Sequence, residues 1–268
     1  MENHENKLDI KLVPISKNKA LDIVKKQHYS NTLPNINKIC LGIYINQKLK
    51  GCITLGYGTR PKHTIKKLFP SLDTSDYLEI GRMCIDDEFK TNTESQMLSK
   101  CIKYLKKNYP HIKVLFTWSD GILGKCGTVY QASNFLYGGY IFTDIYIYKG
   151  VKIHPRLMKK LISPNDNRKT VRPTPQQKKE LSIEHIKGKQ FRYCYFLCGF
   201  SEKRRLINES DFEWTTNYPT KKDCIWKKWV APHKYVLCEQ PLVYSDDLED
   251  ISKSNLDRWL LNESEKID

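Results

Sequence analysis

The sequence lacks any apolar segment long enough to cross a membrane, since no run approaches the roughly 20 consecutive apolar residues that a spanning helix needs. Its first residues, Met1–Lys7, are polar, and no apolar stretch of the secretory type follows them. It also has no P-loop, no dinucleotide-binding glycine fingerprint and no Asn/Asp-Pro-Pro-Tyr methyltransferase motif. We therefore expect a cytoplasmic protein with no membrane partner, whose chemistry does not use these three motifs.

The sequence also lacks an even set of cysteines that could all pair in disulfides, because it has nine. Several of them lie in apolar stretches. A reduced, buried thiol behaves there as a small hydrophobic side chain. Cys194 and Cys198 have no second pair at zinc-finger spacing, and the residues between them indicate an apolar strand. The sequence thus predicts free thiols and no metal site.

Acidic residues are few relative to basic ones: 45 Lys and Arg stand against 30 Asp and Glu, a formal net charge of +15. The excess is concentrated in residues 149–193, which hold thirteen basic and three acidic side chains. This balance favours a nucleic acid partner through phosphate neutralisation, although a solvated lysine-rich surface is the alternative. The candidate DNA contacts are Arg156, Lys159, Lys160, Arg168, Lys169, Arg172, Lys189 and Arg192.

Hydrophobic periodicity predicts a mixture of helices and strands in the first 150 residues. Ser16 is a suitable N-cap for an amphipathic helix over 17–27. The predicted elements after it are strands 39–45, 51–57 and 77–85, a helix 96–107, a strand 112–118, a helix 127–137 and a strand 140–148. This order matches a mixed α/β sheet flanked by helices, as in the GNAT acetyltransferase fold.

The remainder of the chain has a different character. A polar, proline-containing linker over 163–175 leads to a helix that Thr174, Pro175 and Gln177 cap and that runs to about Ile186. We divide the chain into a GNAT-like catalytic domain over 10–150, a basic DNA-binding extension over 151–245 and an acidic tail over 246–268.

Polar side chains follow two of the predicted elements. His28, Tyr29 and Ser30 come after the first helix, where a histidine is able to move a proton at neutral pH, or is structural or merely solvated. Asp120 follows a buried strand and Tyr130 lies in the next helix, positions suited to a general base and to a hydrogen-bond donor. A glycine-rich turn with a capping aspartate is the alternative reading of that segment.

The loop before the 96–107 helix occupies the place where GNAT enzymes bind the pyrophosphate of an acyl donor. Asn92, Thr93 and Ser95 are the candidate cofactor-binding residues. However, Lys90–Ser95 contains no glycine and departs from the signature of acetyl-CoA binders, so a plain capped helix without a ligand is equally consistent.

Several short motifs occur along the chain in a fixed order. They are His28–Ser30 with Leu33 and Pro34, Leu78–Arg82, Ser119 and Asp120, Gly127–Asn134, His154–Arg156, and Lys189–Tyr193. In their joint order, over about residues 20–220, the chain resembles the Mom family of bacteriophage DNA-modification proteins, with Gln190 in place of a histidine in the last motif.

The resemblance implies a GNAT-like transferase that adds a carbamoylmethyl (acetamido) group to the exocyclic N6 of adenine in double-stranded phage DNA. Such a protein acts in the cytoplasm of the infected bacterium and shields the phage genome from host restriction. The matched motifs imply a catalytic site of His28, Tyr29, Ser30, Arg82, Asp120 and Tyr130.

We assign roles within that implied site. Asp120 and His28 are expected to transfer protons, Arg82 to hold an anionic donor or a DNA phosphate, and Tyr29 and Tyr130 to position the base. The donor stays open between acetyl-CoA, a glycine-derived compound and a route assisted by iron, and the oligomeric state is open too. Two other functions remain: a GNAT acyltransferase acting on a small molecule, tRNA or protein, and a DNA-binding module without catalysis.

Overall fold

The computed structural model of the chain describes residues 8–28, 33–34, 37–89, 92–153, 158, 161–163, 165 and 171–241. The chain divides into two compact units, and each unit is assembled from separate segments. Unit 1 comprises Met1–Ser119, Gly127–Gly139 and Phe191–Tyr218. Unit 2 comprises Asp120–Cys126, Tyr140–Gln190 and Pro219–Asp268.

The described residues form strands and helices of ordinary length. The strands are β1 (Ile10–Pro14), β2 (Asn37–Ile45), β3 (Lys48–Gly56), β4 (Tyr77–Ile85), β5 (Val114–Ser119), β6 (Leu136–Tyr148), β7 (Val151–Ile153), β8 (Glu184–Phe196), β9 (Trp226–Ala231) and β10 (Lys234–Cys238). The helices are α1 (Lys17–Gln27), α2 (Pro61–Leu68), α3 (Thr93–Asn108), α4 (Thr128–Ala132), α5 (Pro175–Glu180) and α6 (Phe200–Glu209). None of the helices in this described part is long and apolar enough to span a membrane.

The sheet of unit 1 has the strand order β1-β2-β3-β4-β5-β8, to which β8 contributes Phe191–Phe196. Neighbouring strands are antiparallel except for β4 and β5, which are parallel. Parallel neighbours need a crossover connection, and α3 provides it. The arrangement brings the first residues of β4 and β5, which are distant in sequence, side by side.

Two helices pack their apolar sides on this sheet. α1 begins after Ser16, whose hydroxyl accepts a hydrogen bond from the Lys19 amide at 3.3 Å. Ala20 and Val24 of α1 are buried with three thiols of the sheet, Cys40, Cys52 and Cys84. The apolar stripe of α3 is buried as well: Met97, Leu98, Cys101, Ile102 and Leu105.

An aromatic core fills another part of unit 1. Phe69, just after α2, stacks on Trp214 with ring centroids 5.5 Å apart and meets Phe196 of β8 edge-on, also at 5.5 Å. Tyr77 of β4 and Phe116 of β5 belong to the same buried cluster. Residues near positions 70, 116, 196 and 214 must therefore come together before this core exists.

Unit 2 contains a five-stranded arrangement with the order β10-β9-β8-β6-β7. Its core includes Ile145 and Ile147 of β6 and Ile186 of β8, packed with Ile122 and Leu123. α5 begins with the capping box that the sequence predicts, since Thr174 Oγ1 accepts from the Gln177 amide at 3.2 Å and Gln177 Oε1 accepts from the Thr174 amide at 3.0 Å.

The predicted mixed α/β architecture, a sheet with helices packed on it, is confirmed. The helix at 17–27 and the strand at 77–85 have the predicted bounds, and all nine cysteines are free. The units are assembled from discontinuous segments, and the functional division at residue 150 stays a prediction.

Two helix predictions are wrong in extent. The helix predicted over 127–137 ends at Ala132, because Asn134 has φ +61° and Tyr137 pairs in β-bridge fashion with Thr215. The helix predicted to run to Ile186 ends at Glu180, and Ser182 at φ +51° turns the chain into β8. α2 and β1 were not predicted; α2 lies within a segment whose sequence indicated a polar loop.

Candidate active site

The sheet of unit 1 opens where β4 and β5 separate. Their parallel register covers three pairs, Tyr77 with Val114, Leu78 with Leu115 and Glu79 with Phe116. Beyond Glu79, β4 continues in register with β3, and beyond Phe116, β5 continues in register with β8. Side chains at this opening have no neighbouring strand on one side, a common origin of binding sites in α/β sheets.

Glu79 lies at the opening, in a strand whose other charged residue is Arg82. Burial raises the pKa of its carboxyl group to about 7, although the positive charge of Arg82 acts to lower it. Within the described part of the chain the Glu79 carboxylate makes no hydrogen bond or ion pair of its own. A carboxyl group in this state exchanges a proton near neutral pH, which is what a general base requires.

The turn after β3 presses against Glu79. Tyr77 Oη donates a hydrogen bond to the Tyr57 carbonyl at 2.6 Å and so fixes this turn beside β4. Gly58 follows at φ +65°, and a Cβ atom there would lie 2.0 Å from Glu79 Oε2. An alanine here would adopt a strained left-handed backbone and would displace the Glu79 carboxylate from its position.

Replacing Gly58 by alanine should therefore lower the free energy of unfolding by roughly 2–4 kcal/mol, from the left-handed backbone together with the clash. Urea unfolding measures the loss. Gly150→Ala is the matched control, because Gly150 has φ +78° with nothing within 4 Å of the added Cβ, and it should lose only the backbone part, about 1 kcal/mol. Equal losses in the two variants would mean that Glu79 is free to move aside.

Arg192 is buried on the same face of the sheet as Glu79. Paired residues of neighbouring strands point to one face, so the pairs Glu79–Phe116 and Trp118–Arg192 place Glu79, Trp118 and Arg192 together on it. The Arg192 guanidinium lies 3.9 Å from the ring centre of Phe212 and 5.2 Å from that of Trp118.

The charge of Arg192 has little to balance it. The side chain is 6% exposed, its Nη1 donates to the Gly138 carbonyl, and its buried Nε has no partner among the described residues. Burial lowers the pKa of Arg192 to about 10, so it is still protonated at pH 7. No carboxylate of the described residues forms an ion pair with it. A buried cation of this kind is suited to receive an anionic group.

The opposite face at the opening carries Tyr130. Its hydroxyl accepts a hydrogen bond from Thr117 Oγ1 at 3.3 Å, so its own O–H is available to donate. Burial raises the pKa of Tyr130, against the hydrogen bond from Thr117, which lowers it. Tyr130 is therefore a neutral donor at physiological pH.

A cleft of about 270 Å³ lies between the end of β4, the start of α3 and α4. Asn92, Thr93 and Ser95, for which cofactor binding stays a prediction, line it, and the amides at the start of α3 are of the type that binds anions. Asp86, Asp87 and Glu94 line it too, and its described lining residues include no basic side chain. Three carboxylates disfavour a diphosphate, so the described lining residues do not fit coenzyme A.

Metal ligation has little support in the same region. Among the described residues, no three His, Cys, Asp or Glu side chains are grouped so that they could hold an ion. An iron-assisted route therefore has no ligand set in this part of the chain.

Comparison with known proteins gives the family. The model of the Mom protein family matches residues 9–214, which is more than three quarters of the chain. The chain belongs to the Mom protein family. The resemblance found in the sequence motifs is confirmed.

A curated member of the Mom family is among the relatives. The methylcarbamoylase Mom of Escherichia phage Mu is 29% identical to the chain over 185 residues, which are 69% of this chain and 74% of that protein.

Solved structures with some likeness to this Mom-family chain are acetyltransferases. One from Bacillus subtilis, in complex with coenzyme A, is 14% identical, covers 72% of this chain and 100% of its own, and has a TM-score of 0.38. A putative acetyltransferase from Acinetobacter baylyi is 10% identical, with coverages of 71% and 93% and a TM-score of 0.40.

The structure gives positions for four of the six catalytic residues predicted from the Mom motifs. His28 ends α1 and is half-buried, with its amide donating to the Val24 carbonyl at 3.0 Å. Arg82 is half-buried on β4, where its Nη1 donates to the Gly81 carbonyl at 2.6 Å. Tyr130 is at the opening, and all three belong to unit 1.

Asp120 belongs to unit 2, where its carbonyl accepts from the amides of Leu123 and Lys125. Its shared proton chemistry with His28 stays a prediction. Tyr29 and Ser30 lie outside the described residues. Of the named Mom motifs, the strand Leu78–Arg82 therefore carries the clearest chemical features.

The predicted DNA contacts are placed less uniformly. Arg172 is exposed and lies 3.7 Å from Asp144 Oδ2, and Lys189 lies over the ring of Tyr140 at 4.3 Å. Arg192 is buried in unit 1, and its predicted contact with DNA stays a prediction. Arg156, Lys159, Lys160, Arg168 and Lys169 lie outside the described residues.

Sequence reasoning missed Glu79 and Trp118 as parts of this site. A signal was available for Glu79, since an acidic residue interrupts an apolar strand within a Mom-family motif. Trp118 gave no signal, because an aromatic residue in a strand is ordinary core composition.

Proposed function

We propose that this Mom-family protein modifies adenine in phage DNA by joining a carbamoylmethyl group to the exocyclic N6. One observation carries the proposal: Glu79, with a pKa near 7, shares a face of the opening with Trp118 and Arg192. Family membership and the name of the phage Mu relative, a methylcarbamoylase, support the type of group transferred. The modification would protect the phage genome from restriction in the infected cell.

The chemistry asks for a base at this place. The N6 lone pair of adenine is delocalised into the ring, so N6 attacks carbon only weakly unless its proton is removed as the bond forms. In the proposed step the N6–carbon bond forms, the leaving group departs from the donor carbon with its electron pair, and the N6 proton passes to Glu79. Effects of such proton transfer are about 10²–10⁴-fold.

Access to N6 within double-stranded DNA calls for the target base to leave the helix. A flipped adenine needs an aromatic surface, and Trp118 lies about 7 Å along the strand from the level of Glu79, two residues beyond Phe116. Arg192 would hold an anionic group, either the phosphate of the flipped nucleotide or a carboxylate of the donor. Tyr130 would donate a hydrogen bond from the other face.

The donor is a compound that carries the carbamoylmethyl group on a leaving group. The acid-lined cleft argues against coenzyme A as that leaving group, and a glycine-derived donor is the remaining proposal. No step in this scheme depends on iron.

The test is nucleoside analysis of DNA from bacteria that express the protein. We expect mass spectrometry to reveal an adenine nucleoside in which a carbamoylmethyl group replaces one hydrogen. Acetyl-CoA consumption without an altered nucleoside would support a GNAT acyltransferase with another substrate. DNA retention by the full chain with unaltered nucleosides would support a binding module, and either outcome contradicts the proposal.

A further inference from the structure

The sheet of unit 2 has two chemically different faces. On one face Ile145, Ile147 and Ile186 are buried in the core. Residues of the other parity point to the opposite face, because side chains alternate along a strand. The register places Lys187 opposite Lys227, and Tyr235 opposite Trp229, on this second face. On β6 this second face carries Tyr146 and Tyr148, which are buried in a core with Ile153, and Tyr140 and Phe142, which are exposed. We call the exposed part around Tyr140 and Phe142 the front face.

The front face alternates aromatic rings with lysines. Lys189 Nζ lies 4.3 Å from the ring centre of Tyr140, Lys227 Nζ lies 5.2 Å from that of Phe142, and Lys187 Nζ lies 4.2 Å from that of Tyr235. Tyr140 and Phe142 are 45% and 43% exposed, and their rings meet edge-on at 5.7 Å. An apolar ring left this open on a sheet is typical of a binding surface.

Among the residues that the structure describes, acidic groups do not cancel the lysines. Asp144, on the same face, accepts from His185 Nε2 at 2.8 Å and lies 3.7 Å from Arg172. Burial would raise the pKa of Asp144, but His185, Arg172 and Lys187 more than offset this and hold it below its ordinary value. Asp223, whose charge acts near Lys189, accepts from the amide and hydroxyl of Thr220. The front face therefore keeps a positive balance.

We propose that the front face binds a DNA strand through unstacked bases, with Tyr140 and Phe142 as stacking platforms and Lys187, Lys189 and Lys227 as phosphate contacts. Two aromatic residues spaced two apart on an open strand, flanked by basic side chains, suit successive bases of an unpaired strand. A sheet face that docked an apolar partner would not need three lysines over its rings. The proposal rests on DNA as the substrate and adds a second contact, in unit 2, to the site of unit 1.

The decisive variant is the full-length protein with both Tyr140→Ala and Phe142→Ala. Its affinity for a fluorescent single-stranded oligonucleotide should fall at least about tenfold, measured by anisotropy. The double variant Tyr140→Phe and Phe142→Tyr keeps both rings and should bind like the natural protein. Phe200→Ala is the matched control, since Phe200 is an 80% exposed ring of unit 1 that should not matter.

A strand without bases separates stacking from phosphate contacts. An abasic oligonucleotide of equal length should bind the natural protein about as weakly as the alanine double variant binds the normal strand. Lys189→Gln and Lys227→Gln should each reduce the salt dependence of binding by about 0.7 in the slope of log affinity against log salt. Lys107→Gln, an exposed lysine on α3, should leave the slope unchanged.

Unchanged affinity of the alanine double variant for single strands would overturn the proposal. A changed molar mass in light scattering with unchanged DNA affinity would also overturn it, by making the front face an interface between copies. The proposed function is judged separately. If the protein modifies adenine but its affinity for DNA does not depend on Tyr140 and Phe142, only the front-face proposal is wrong. If DNA binding depends on the rings of Tyr140 and Phe142 but adenine is not modified, only the proposed function is wrong.

Discussion

Replacing Glu79 by glutamine should reduce the rate of adenine modification by about 1,000-fold, because the amide cannot take the proton from N6. Glutamine has nearly the same size as glutamate, so the effect should appear in kcat with little change in affinity for DNA. Rates are measured as modified adenine formed per unit time with the donor in excess. Glu88→Gln is the matched control: Glu88 is an exposed carboxylate paired with Lys50, and the rate should be unaffected.

The pH dependence should identify the same group. Glu79 acts as a base only when ionised, and its pKa is raised to about 7, so kcat/KM should rise with pH up to about 7 and level off above. Glu79→Gln should abolish this rise. A flat profile in the natural protein, or a glutamine variant with natural activity, would remove Glu79 from the reaction.

The glutamine variant, although less active, should have a larger free energy of unfolding than the natural protein at high pH. Folding raises the pKa of the Glu79 carboxyl group from 4.5 to about 7. Such a group does not lower the free energy of unfolding below pH 4.5, and it lowers it progressively as the pH rises to 7. By this linkage the glutamine variant should be more stable than the natural protein by up to about 3 kcal/mol at pH 8, and equal to it near pH 4. Urea unfolding at the two pH values provides the measurement.

Replacing Arg192 by methionine should lower kcat/KM about 100-fold while leaving the fold intact. Loss of a charge-assisted contact to an anionic group accounts for the activity. The fold should tolerate the change because a buried, unpaired charge is replaced by an apolar side chain between Trp118 and Phe212, which offsets the lost hydrogen bond to Gly138. We expect the free energy of unfolding to change by no more than about 1 kcal/mol.

Two further variants make the Arg192 result specific. Arg192→Lys keeps the charge but loses the planar stacking surface, so it should recover only part of the activity. Lys106→Met removes a cation over the ring of Tyr195 at 5.6 Å on the surface of the same unit and should have no effect on rate. A large loss of stability in Arg192→Met with natural activity per folded molecule would make Arg192 a structural residue instead.

Local signals in the sequence were sufficient for some elements. Ser16 and Thr174 mark helix starts through side chains that bond amides three residues later, and such chemistry depends only on near neighbours. The strand at 77–85 is bounded by polar segments and fills its predicted limits. The order of the Mom-family motifs is likewise visible in the sequence alone, without the fold.

The elements and site properties that the sequence did not predict depend mostly on contacts between residues that are distant in sequence. Leu136 and Tyr137 have a helical neighbourhood in sequence, yet Tyr137 exchanges backbone hydrogen bonds with Thr215, and this long-range pairing sets the strand. The side chain of Arg60 does not cap α2, so the sequence has no capping signal at the start of this helix. The pKa of Glu79 and the burial of Arg192 both depend on β5 being paired on each side, which periodicity does not reveal.

The discontinuity of unit 1 bears on how the protein is made in the cell. β5 gains its partner Phe191–Phe196, and the aromatic core gains Trp214, only when the last segment of the unit, ending at Tyr218, has been synthesised. The roughly 80 residues between Gly139 and Tyr218 take about 4–16 s to translate at about 5–20 residues per second. Until Phe196 has emerged the nascent β5 has an open edge, so ribosome-bound chains should depend on chaperones for much of that interval.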